Sequence, residues 1–580
     1  MMWPTALTFS SLSYSLLAFS LLSFLPYPAS PAKIAVVSYN LGTSHTLFAG
    51  AIADTLVDAG HIVHFFSIEQ DLAVKINGSL KAHRNFFLPS RSRNIWNDMS
   101  FRLNPFRPFN IETPSFFVNV TEAFDQSCHD VLESRDLLEA LRSEKYDIGI
   151  SEAYGFHGFG LLNILGVREY VLASAIPLQP SHAAFFNIPQ PASYVTSCLD
   201  GEGSLATPNL SYFHRIYNTA LQALNYWFYE RVATKNTAIF RSAYPKMPDL
   251  LSLVRSAGLI LVNTPPLLDL PRPTSHKVLN IGGLERVDHE KQLPGEILAV
   301  LNGTASRVVI VSFGTLARTV FIEGPLLNSF MTAFSRFPDY DFLWKFDEIE
   351  ENGAIFRRHP NVHPFRWLPQ KQILNHPNTR GFISHMGLNS LMEAAKAGVP
   401  MVSIPLFTDQ QYNTNVALQK GIGVYVDKTN ITAESITEAL KSILHDSSFS
   451  YNAQLVRAQL AAFPRQPAEE LVRFIKYIDR FGAPSGGSFD LPDQSFVVAL
   501  SLDIYIPLAV AATAAAAVLI GLYIWTLEDG LDLLLIRLAI HIEGVDALIE
   551  ILNLIRTRLL HAIVPWCDHL PGGELKQKSL

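Results

Sequence analysis

The chain has 580 residues, of which 48% are hydrophobic and 17% are charged, so it is long enough to bury more than one hydrophobic core. Its net charge of -7 excludes the basic signature of a nucleic-acid-binding protein. Three cysteines cannot supply a disulfide framework or a four-ligand zinc site, and we expect no metal ion. Cys128 and Cys198 would be able to pair in an oxidising compartment.

The amino terminus has the pattern of a signal peptide over residues 1–30. No charged side chain occurs in the first 32 residues. An apolar core from Leu16 to Leu25 precedes small residues and prolines, as in secretory leaders. The alternative is an uncleaved anchor, but the apolar run is short for a bilayer span. We therefore expect the rest of the body to enter the secretory pathway.

A first series of strands and helices follows the leader. The pattern predicts strands over residues 33–38, 62–66 and 147–151, and a helix over 45–59. The third strand ends at Glu152. Residues 85–117 lack a clear period and are predicted to form loops with short helices. The strand–helix–strand order predicts a doubly wound α/β domain over residues 31–280.

A second series begins after Pro271. It predicts strands over residues 308–312, 341–346, 381–384 and 401–405, and a helix over 391–397. This series predicts a second α/β domain over residues 281–455, with a closing helix and linker over 456–503. The predicted fold class is therefore α/β, with two doubly wound domains that face each other.

Polar side chains gather where the strands of the second series end. His385 follows a strand, Gly387 permits close backbone approach, and Asn389 and Ser390 open a helix. Open α/β sheets bind ligands at the carboxyl ends of their strands, where a helix N-terminus offers free N–H groups and a positive dipole. The segment therefore predicts a diphosphate site in which His385 and the N–H groups meet the charge without a metal ion.

Two simpler interpretations compete with this site. Ser390 and Glu393 also fit a capping box, S-x-x-E, which explains both residues without a ligand. Trp367 also fits a buried core aromatic. Each residue taken alone favours the simpler interpretation, whereas the joint spacing from Trp367 to Gln410 favours a binding site.

His45 is the candidate general base. It lies in NLGTSHTLF, between the first strand and the first helix, where the helix dipole would keep its ring neutral. Glu152 ends a strand in the same half and would orient the ring and stabilise the imidazolium. The alternative for His45 is an ordinary polar residue at a helix start. His157, in the nearby GFHGFG, is interpreted as structural.

Residues 504–527 are predicted to be a transmembrane helix. They carry no charge between Asp503 and Glu528, and at a rise of about 1.5 Å per residue they cover a bilayer core of about 30 Å. The alternative is a buried, alanine-rich core helix. Residues 528–580 are predicted to form an amphipathic segment on the membrane surface and a cytosolic tail.

The glycosylation sequons and the last five residues predict how the chain is oriented in the membrane. Five N-x-S/T sequons precede the span: Asn77, Asn119, Asn209, Asn302 and Asn430. The last five residues, KQKSL, resemble the K-x-K-x-x retrieval signal of endoplasmic reticulum membrane proteins, which is read from the cytosol. They predict a single-pass membrane protein of the endoplasmic reticulum with a lumenal body and a cytosolic C-terminus. The alternative for the lysines is an ordinary solvated terminus.

The segment from Trp367 to Gln410 resembles the signature of the UDP-glycosyltransferases, the family that includes glucuronosyl- and glucosyltransferases. The match covers all 44 residues of the segment and extends weakly over residues 33–480. The order of signal, body, span and tail is similar to that of animal members. The resemblance implies a GT-B fold, in which the first Rossmann-like domain binds the acceptor and the second binds the UDP-sugar.

The resemblance also implies roles for individual residues. Carried over by position, the donor-binding residues are Trp367 and Gln370 at the uracil, His385 and Ser390 at the pyrophosphate, Gly387 and Asn389 in the same loop, Glu393 at the ribose, Asp409 and Gln410 at the sugar, and Ser312 and Thr315 at the strand-end turn. His45 takes the place of the catalytic histidine. Glu152 stands where mammalian members usually have Asp. Met386 stands where the family often has a smaller residue, and would narrow the loop.

The sequence thus predicts an inverting, metal-independent transfer of a hexose from UDP-glucose or UDP-glucuronate to a hydroxyl of a small lipophilic acceptor. No cofactor is expected, because the UDP-sugar is a co-substrate. Glucose is slightly favoured, because no clear cation stands beside Asp409 and Gln410 for a glucuronate carboxylate. The alternative is a catalytically weak nucleotide-sugar- or lipid-binding protein of the same fold, which the presence of His45 disfavours. Formation of a homo-oligomer is left open.

Overall fold

The computed structural model describes residues 31–71, 74, 76–90, 104–107, 114–196, 210–284, 293–303, 307–484, 489–492, 496–499 and 501–541, and positions 546, 549, 550 and 553. The predicted signal peptide, the sequon at Asn209, Cys198 and the tail lysines lie outside these residues. Pro492 closes the first of two compact units, and Asp493 begins the second.

The first half of the first unit is built on a seven-stranded parallel sheet with the order β3-β2-β1-β4-β5-β6-β7. Its strands are β1 (Lys33–Tyr39), β2 (Ile62–Ile68), β3 (Arg84–Leu88), β4 (Ile148–Glu152), β5 (Glu169–Ser174), β6 (Leu259–Val262) and β7 (Val278–Asn280). The central strands are buried on both faces because helices cover the sheet on each side, which explains their continuous apolar sequences.

Seven helices accompany this sheet among the described residues. They are α1 (Thr43–Asp58), α2 (Pro114–Glu133), α3 (Arg135–Leu141), α4 (His157–Ile164), α5 (Pro180–Phe185), α6 (Tyr212–Ala243) and α7 (Leu250–Arg255). Apolar clusters lie on both faces of the sheet, one against α1 and the other against α2, α4 and α6. The sheet thus has two cores, as expected for a doubly wound domain.

The second half of the unit has a six-stranded parallel sheet with the order β10-β9-β8-β11-β12-β13. Its strands are β8 (Val308–Ser312), β9 (Asp341–Lys345), β10 (Val362–Phe365), β11 (Thr379–Ser384), β12 (Met401–Ser403) and β13 (Gly423–Tyr425). Its helices are α8 (Gly295–Leu301), α9 (Gly324–Ser335), α10 (Gly353–Arg358), α11 (Gln370–Leu374), α12 (Leu388–Ala397), α13 (Gln410–Gln419), α14 (Ala433–His445) and α15 (Ser447–Ala461). Two parallel-sheet α/β domains in one chain confirm the predicted fold class.

The two halves are joined by packing as well as by the chain. Ile176, Leu268 and Leu270 of the first half belong to an apolar cluster that is otherwise made by the second half. Helix α16 (Pro467–Phe481) follows the second half but returns Leu471, Ile475 and Ile478 to the core of the first sheet. This helix therefore ties the end of the body back to its beginning.

The interpretation of residues 85–117 as loops with short helices is wrong at both of its ends. Strand β3 begins at Arg84 and helix α2 begins at Pro114. Strand β3 reads RNFFL and is exposed at most of its positions, because it is the edge of the sheet and pairs only with β2. An edge strand lacks the continuous apolar run by which the central strands were predicted.

The second unit contains α17 (Phe496–Ala499) and the long helix α18 (Leu502–His541). The segment Leu502–Leu527 of α18 is long and apolar enough to cross a membrane, with a mean hydropathy of 2.1. None of its most apolar window is buried within the structure, so the interpretation as a buried core helix is wrong. Helix α18 continues past Glu528 without a break, so the segment predicted to lie on the membrane surface begins inside the same helix.

Candidate active site

The first element of the site is a pair of side chains at the carboxyl ends of β1 and β4. These strands are parallel neighbours, with Val37 opposite Ser151, so the residues that follow them meet at one edge of the sheet. His45 lies in the first turn of α1, and Glu152 is the last residue of β4. His45 Nδ1 is hydrogen-bonded to Glu152 Oε1, and both side chains are buried. The sequence-predicted pair is therefore in contact.

Two carboxylates control the protonation of His45. Burial alone lowers the pKa of the ring, but the charge of Glu152, its hydrogen bond and the charge of Asp409 raise it, and the net pKa is raised. The two carboxylates therefore act against the expected effect of the helix dipole, which favours the neutral ring. Asp409 belongs to the second half of the unit, so its effect on His45 shows that the two halves face each other at this site.

The second element is the loop around His385, which follows β11. A Cβ atom on Gly314 or Gly387 would lie 2.6 or 2.7 Å from His385 Nε2, so both positions need glycine. The pKa of His385 is lowered to about 4, because burial and the charge of Lys345 together outweigh a hydrogen bond that the ring donates to the backbone of Ser312. A pKa of about 4 leaves the ring uncharged near pH 7, so His385 would meet a diphosphate as a hydrogen-bonding group.

The third element is a group of three polar side chains beside the start of α12. Gln370 Nε2 donates to Ser390 Oγ at 3.2 Å and to Glu393 Oε2 at 2.7 Å. The N-cap of α12 is Gly387, and no side chain caps this helix. The capping-box interpretation of Ser390 and Glu393 is therefore wrong, because Ser390 lies inside the first turn. The backbone N–H groups in the first turn of α12 therefore remain available to an anion.

Trp367 and the turn after β8 are the remaining parts of the donor site that the sequence predicts. Trp367 is 63% exposed, so the interpretation as a core aromatic is wrong and its ring face is available for stacking. Ser312 ends β8 and is buried, and its Oγ accepts a hydrogen bond from Gly314 N at 3.4 Å. Thr315, one residue further, is exposed.

Asp409 is the N-cap of α13, at the end of the loop after β12, and Gln410 is the first residue of that helix. Asp409 is buried, which raises its pKa, and it accepts hydrogen bonds from Thr408 Oγ1 at 3.0 Å and Asn413 Nδ2 at 2.7 Å. Gln410 Oε1 accepts from the backbone N–H groups of Leu406 and Phe407 at 2.8 and 3.1 Å. Gln410 therefore holds its own loop with Oε1, and any contact of its side chain with a sugar is left to Nε2.

Asn413 was missed by the sequence analysis. Besides Asp409, its Nδ2 donates to the backbone oxygen of Met386 at 2.9 Å, and so links the loop after β12 to the loop after β11. Met386 has a φ of 65° and is fully buried in the core. Its side chain packs inward, so the expectation that it narrows the loop is wrong. Asn413 lies one helical turn after Asp409, which is the only sequence signal that points to it.

Three further residues complete the surroundings. Asn389 Oδ1 accepts from Nδ2 of Asn263, at the end of β6, at 3.3 Å, so the start of α12 is held by the first half. Tyr154, also missed, meets His45 edge-to-face at 5.5 Å between ring centroids. The ring of His157 packs at a tilt against Tyr39, with 4.1 Å between centroids, and burial lowers its pKa to about 3, in agreement with its interpretation as structural.

The chain is similar to known glycosyltransferases in sequence and in fold. Residues 33–519 match the family model described as "UDP-glucoronosyl and UDP-glucosyl transferase". The UDP-glucuronosyltransferase ugt-47 of Caenorhabditis briggsae is 28% identical over 496 residues, which are 83% of this chain and 91% of that one. The 2-hydroxyacylsphingosine 1-beta-galactosyltransferase of Homo sapiens is 27% identical over 465 residues, 78% and 81% of the two chains. A crystal structure of the kitacinnamycin glycotransferase superposes with a TM-score of 0.54 at 18% identity, over 77% of this chain and 99% of that chain.

Proposed function

The chain belongs to the UDP-glucuronosyl and UDP-glucosyl transferase family and is a UDP-glycosyltransferase, and we propose that it transfers a hexose to a hydroxyl of a small lipophilic acceptor with inversion, using His45 as the general base. The observation that carries this proposal is the buried contact between His45 Nδ1 and Glu152 Oε1 at the edge where the two halves face each other. A base oriented by a carboxylate is the arrangement that activates a hydroxyl.

Only one ring nitrogen of His45 is placed to accept the proton of the acceptor hydroxyl. Nδ1 is held by Glu152, so Nε2 is the atom that accepts the proton of the acceptor hydroxyl. The acceptor oxygen forms a bond to the anomeric carbon as the bond from that carbon to the phosphate oxygen breaks. The electron pair leaves with UDP, and Glu152 stabilises the imidazolium. Because this is a single displacement, the configuration at the anomeric carbon is inverted.

The surroundings of Asp409 favour this single displacement over a route in which a carboxylate attacks the anomeric carbon. Its two oxygens already accept hydrogen bonds from Thr408 Oγ1 and Asn413 Nδ2, which hold the carboxylate in its own loop and disfavour its attack on the anomeric carbon. Its charge instead acts on His45 across the cleft. We assign it to binding the hydroxyls of the sugar.

The leaving diphosphate is stabilised by the start of α12. The helix has ten residues and no side-chain cap, so its first N–H groups and its dipole are directed at the loop of His385 and Gly387. Ser390 and the neutral ring of His385 add hydrogen bonds. This donor site, as proposed, uses neither a metal ion nor a cofactor.

The donor sugar is proposed to be glucose, with glucuronate as the second choice. A glucuronate carboxylate beside Asp409 would face a like charge, whereas a neutral hexose needs only hydroxyl contacts. The relatives differ in this respect, since they are named for glucuronate and for galactose. The human relative is named for 2-hydroxyacylsphingosine, which supports a lipophilic acceptor here.

The helix segment Leu502–Leu527 is proposed to anchor the protein in the membrane of the endoplasmic reticulum. The body would then lie in the lumen and the C-terminus in the cytosol. Three of the five sequons, Asn77, Asn302 and Asn430, are exposed on the body, and Asn119 is half-buried. Exposure at these positions supports a lumenal body, because glycosylation needs accessible asparagines.

A donor panel tests the proposed function. The full-length protein in detergent is incubated with UDP-glucose, UDP-glucuronate or UDP-galactose and a mixture of phenols, and the conjugates are identified by mass and by proton NMR. We expect a β-linked glucoside from the α-linked donor. An α-linked conjugate would contradict inversion. Binding of UDP without any conjugate would favour the alternative of a catalytically weak binding protein.

A further inference from the structure

The hydroxyl of Tyr412 joins the second half of the body to the first. Tyr412 lies in α13, and its hydroxyl donates a hydrogen bond to Asp269 Oδ1. The same hydroxyl accepts hydrogen bonds from the backbone N–H of Leu270 at 3.2 Å and from Nη2 of Arg272 at 3.3 Å. All three partners belong to the segment between β6 and β7 of the first half. One side chain of α13 is therefore held by three groups from the other half.

This contact is buried where the two halves pack together. Tyr412 is only 3% exposed, and it belongs to the same apolar cluster as Ile176, Leu268 and Leu270 of the first half. Burial is the main cause that raises the pKa of the Tyr412 hydroxyl above its ordinary value. The hydroxyl therefore stays protonated near neutral pH and keeps the hydrogen bond that it donates to Asp269.

The partners of Tyr412 lie at the edge of the first sheet that carries the catalytic pair. Arg272 donates to the backbone oxygen of Leu178, which follows β5, and its guanidinium carbon lies 5.7 Å from the centroid of the Tyr412 ring. Asp269 follows β6. Strands β4, β5 and β6 are successive parallel neighbours, and residues that follow such strands meet at one edge. Glu152, at the end of β4, lies at this same edge.

Tyr412 and Asp409 belong to the same turn at the start of α13. Asp409 is the N-cap of the helix and Tyr412 comes three residues later. Residues three apart are neighbours on one face of a helix. Gln410 and Asn413 hold this turn to loops of the second half, whereas Tyr412 holds it to the first half. The contact of Tyr412 therefore bears on where Asp409 lies relative to the first half.

The place of Asp409 matters because its charge acts on His45. The two charged groups that raise the pKa of His45 are Glu152, which is hydrogen-bonded to Nδ1, and Asp409, while burial lowers it. Tyr154 adds an edge-to-face ring contact to the same imidazole. Glu152 belongs to the same half as His45, but Asp409 does not. The distance between Asp409 and His45 therefore depends on how firmly α13 is held to the first half.

We propose that Tyr412 is a positioning residue for sugar transfer: its hydroxyl, held by Asp269 and Arg272, fixes the start of α13, and with it Asp409, relative to His45. Asp409 is assigned to the hydroxyls of the hexose, so the same contact sets the place of the anomeric carbon against the base. The uracil and the diphosphate are assigned to other elements, and their binding does not depend on this contact. This inference rests on the proposed function.

Tyr412→Phe tests this inference, because it removes the hydroxyl and keeps the ring. The full-length protein is assayed with 1-naphthol and UDP-glucose, or with the UDP-sugar that gives a conjugate in the donor panel. We expect kcat to fall by about 10- to 100-fold, the effect of a small misalignment of donor and base. The Kd of UDP, measured by calorimetry, should be unchanged. The acid limb of kcat/KM should move to lower pH, because a more distant Asp409 raises the pKa of His45 less.

Two substitutions of Asp269 separate this contact from a general loss of packing. Asp269→Ala removes the group that accepts from Tyr412, and should reproduce both the lower kcat and the moved acid limb. Asp269→Asn keeps an oxygen at the same place and loses only its charge. This conservative variant should keep kcat within about threefold of the wild type, since a neutral acceptor still binds the hydroxyl, though more weakly.

Tyr146→Phe is the matched control. Tyr146 is also a buried tyrosine, and its hydroxyl is hydrogen-bonded to His64 Nδ1 at 2.7 Å. It precedes β4, whereas Glu152 ends that strand, so it lies at the opposite edge of the sheet. Both variants should lower the melting temperature, because each leaves a buried partner unpaired. Tyr146→Phe should leave kcat, the Kd of UDP and the acid limb unchanged.

The outcomes separate this inference from the proposed function. An acid limb that keeps its wild-type place in Tyr412→Phe would overturn the inference, whatever happens to kcat, and would leave the proposed function standing. Weaker binding of UDP in the same variant would also overturn it, because the contact would then support the whole donor site. Absence of transfer by the wild type with every UDP-sugar would instead overturn the proposed function.

Discussion

At the scale of single residues, the protonation of His45 determines the pH at which the enzyme works. Glu152 and Asp409 raise the pKa of His45 above the ordinary value, which is about 6.5. A base must be unprotonated, so kcat/KM should rise with pH until the pH exceeds this raised pKa. The acid limb of the pH profile should therefore lie above about 6.5.

Glu152→Gln tests the cause of this shift. The amide keeps the shape of the side chain but removes the charge, so burial should pull the pKa of His45 down and the acid limb should move to lower pH. The maximum of kcat should fall by about 10²-fold or more, because the imidazolium loses its partner. An acid limb that stays in place would mean that another group titrates.

Trp367 is the residue whose side chain is proposed to stack on uracil. Trp367→Ala should weaken UDP binding by about 1–3 kcal/mol, measured by calorimetry, because the ring face that would stack on a base is lost. Tyr451→Ala is the matched control, since Tyr451 is also an exposed aromatic of the second half, at 69%, but lies on α15. Equal UDP affinity of wild type and Trp367→Ala would remove Trp367 from the donor site.

At the scale of elements, the strands could be predicted where the sheet is covered on both sides. Strands β1 and β8 have continuous apolar sequences, so their ends, and with them His45 and Ser312, could be located from the sequence. Strand β3 could not, because it lies at an edge. Asn413 could not be assigned either, since its contact with Met386 joins α13 to a loop 27 residues earlier and depends on tertiary structure.

The strand-end loops also explain why glycine is needed beside His385. Gly314 has a φ of +79°, and a Cβ there would lie 2.6 Å from His385 Nε2. Gly314→Ala should displace the ring and weaken UDP binding by about tenfold, the effect of overpacking by one methyl group. Gly295→Ala, at the start of α8, should leave UDP binding unchanged because its Cβ would meet nothing within 4 Å. Equal affinities of the two variants would contradict the proposed place of His385.

At the scale of the whole molecule, the two halves act together and the sequence could not show how. Besides Glu152, the charge of Asp409 raises the pKa of His45, and Asp409 is 364 residues away in the chain and comes close only when both sheets have formed and packed. The effect of the helix dipole on His45 could be inferred from the sequence, whereas the effect of the charge of Asp409 could not. The family resemblance predicted which residues form the site, whereas the direction of the pKa shift of His45 could be inferred only from the fold.

The orientation of the protein in the membrane is also a prediction. On sealed microsomes, a C-terminal epitope should be degraded by added protease, while the body should be protected and glycosylated at exposed sequons such as Asn77 and Asn430. Protection of the epitope would contradict a single crossing. Replacement of Lys576 and Lys578 by Ser should let the protein move to later compartments, and unchanged residence would assign retention to another signal.

The most direct measurement is a comparison of turnover and UDP binding in wild type and His45→Gln. The variant keeps a polar side chain beside Glu152 but cannot act as a base, so kcat should fall by about 10²–10⁴-fold. The affinity for UDP, measured by calorimetry on the same samples, should be unchanged, because UDP is proposed to bind the second half. A variant that turns over at nearly the wild-type rate would contradict the assignment of His45 as the base.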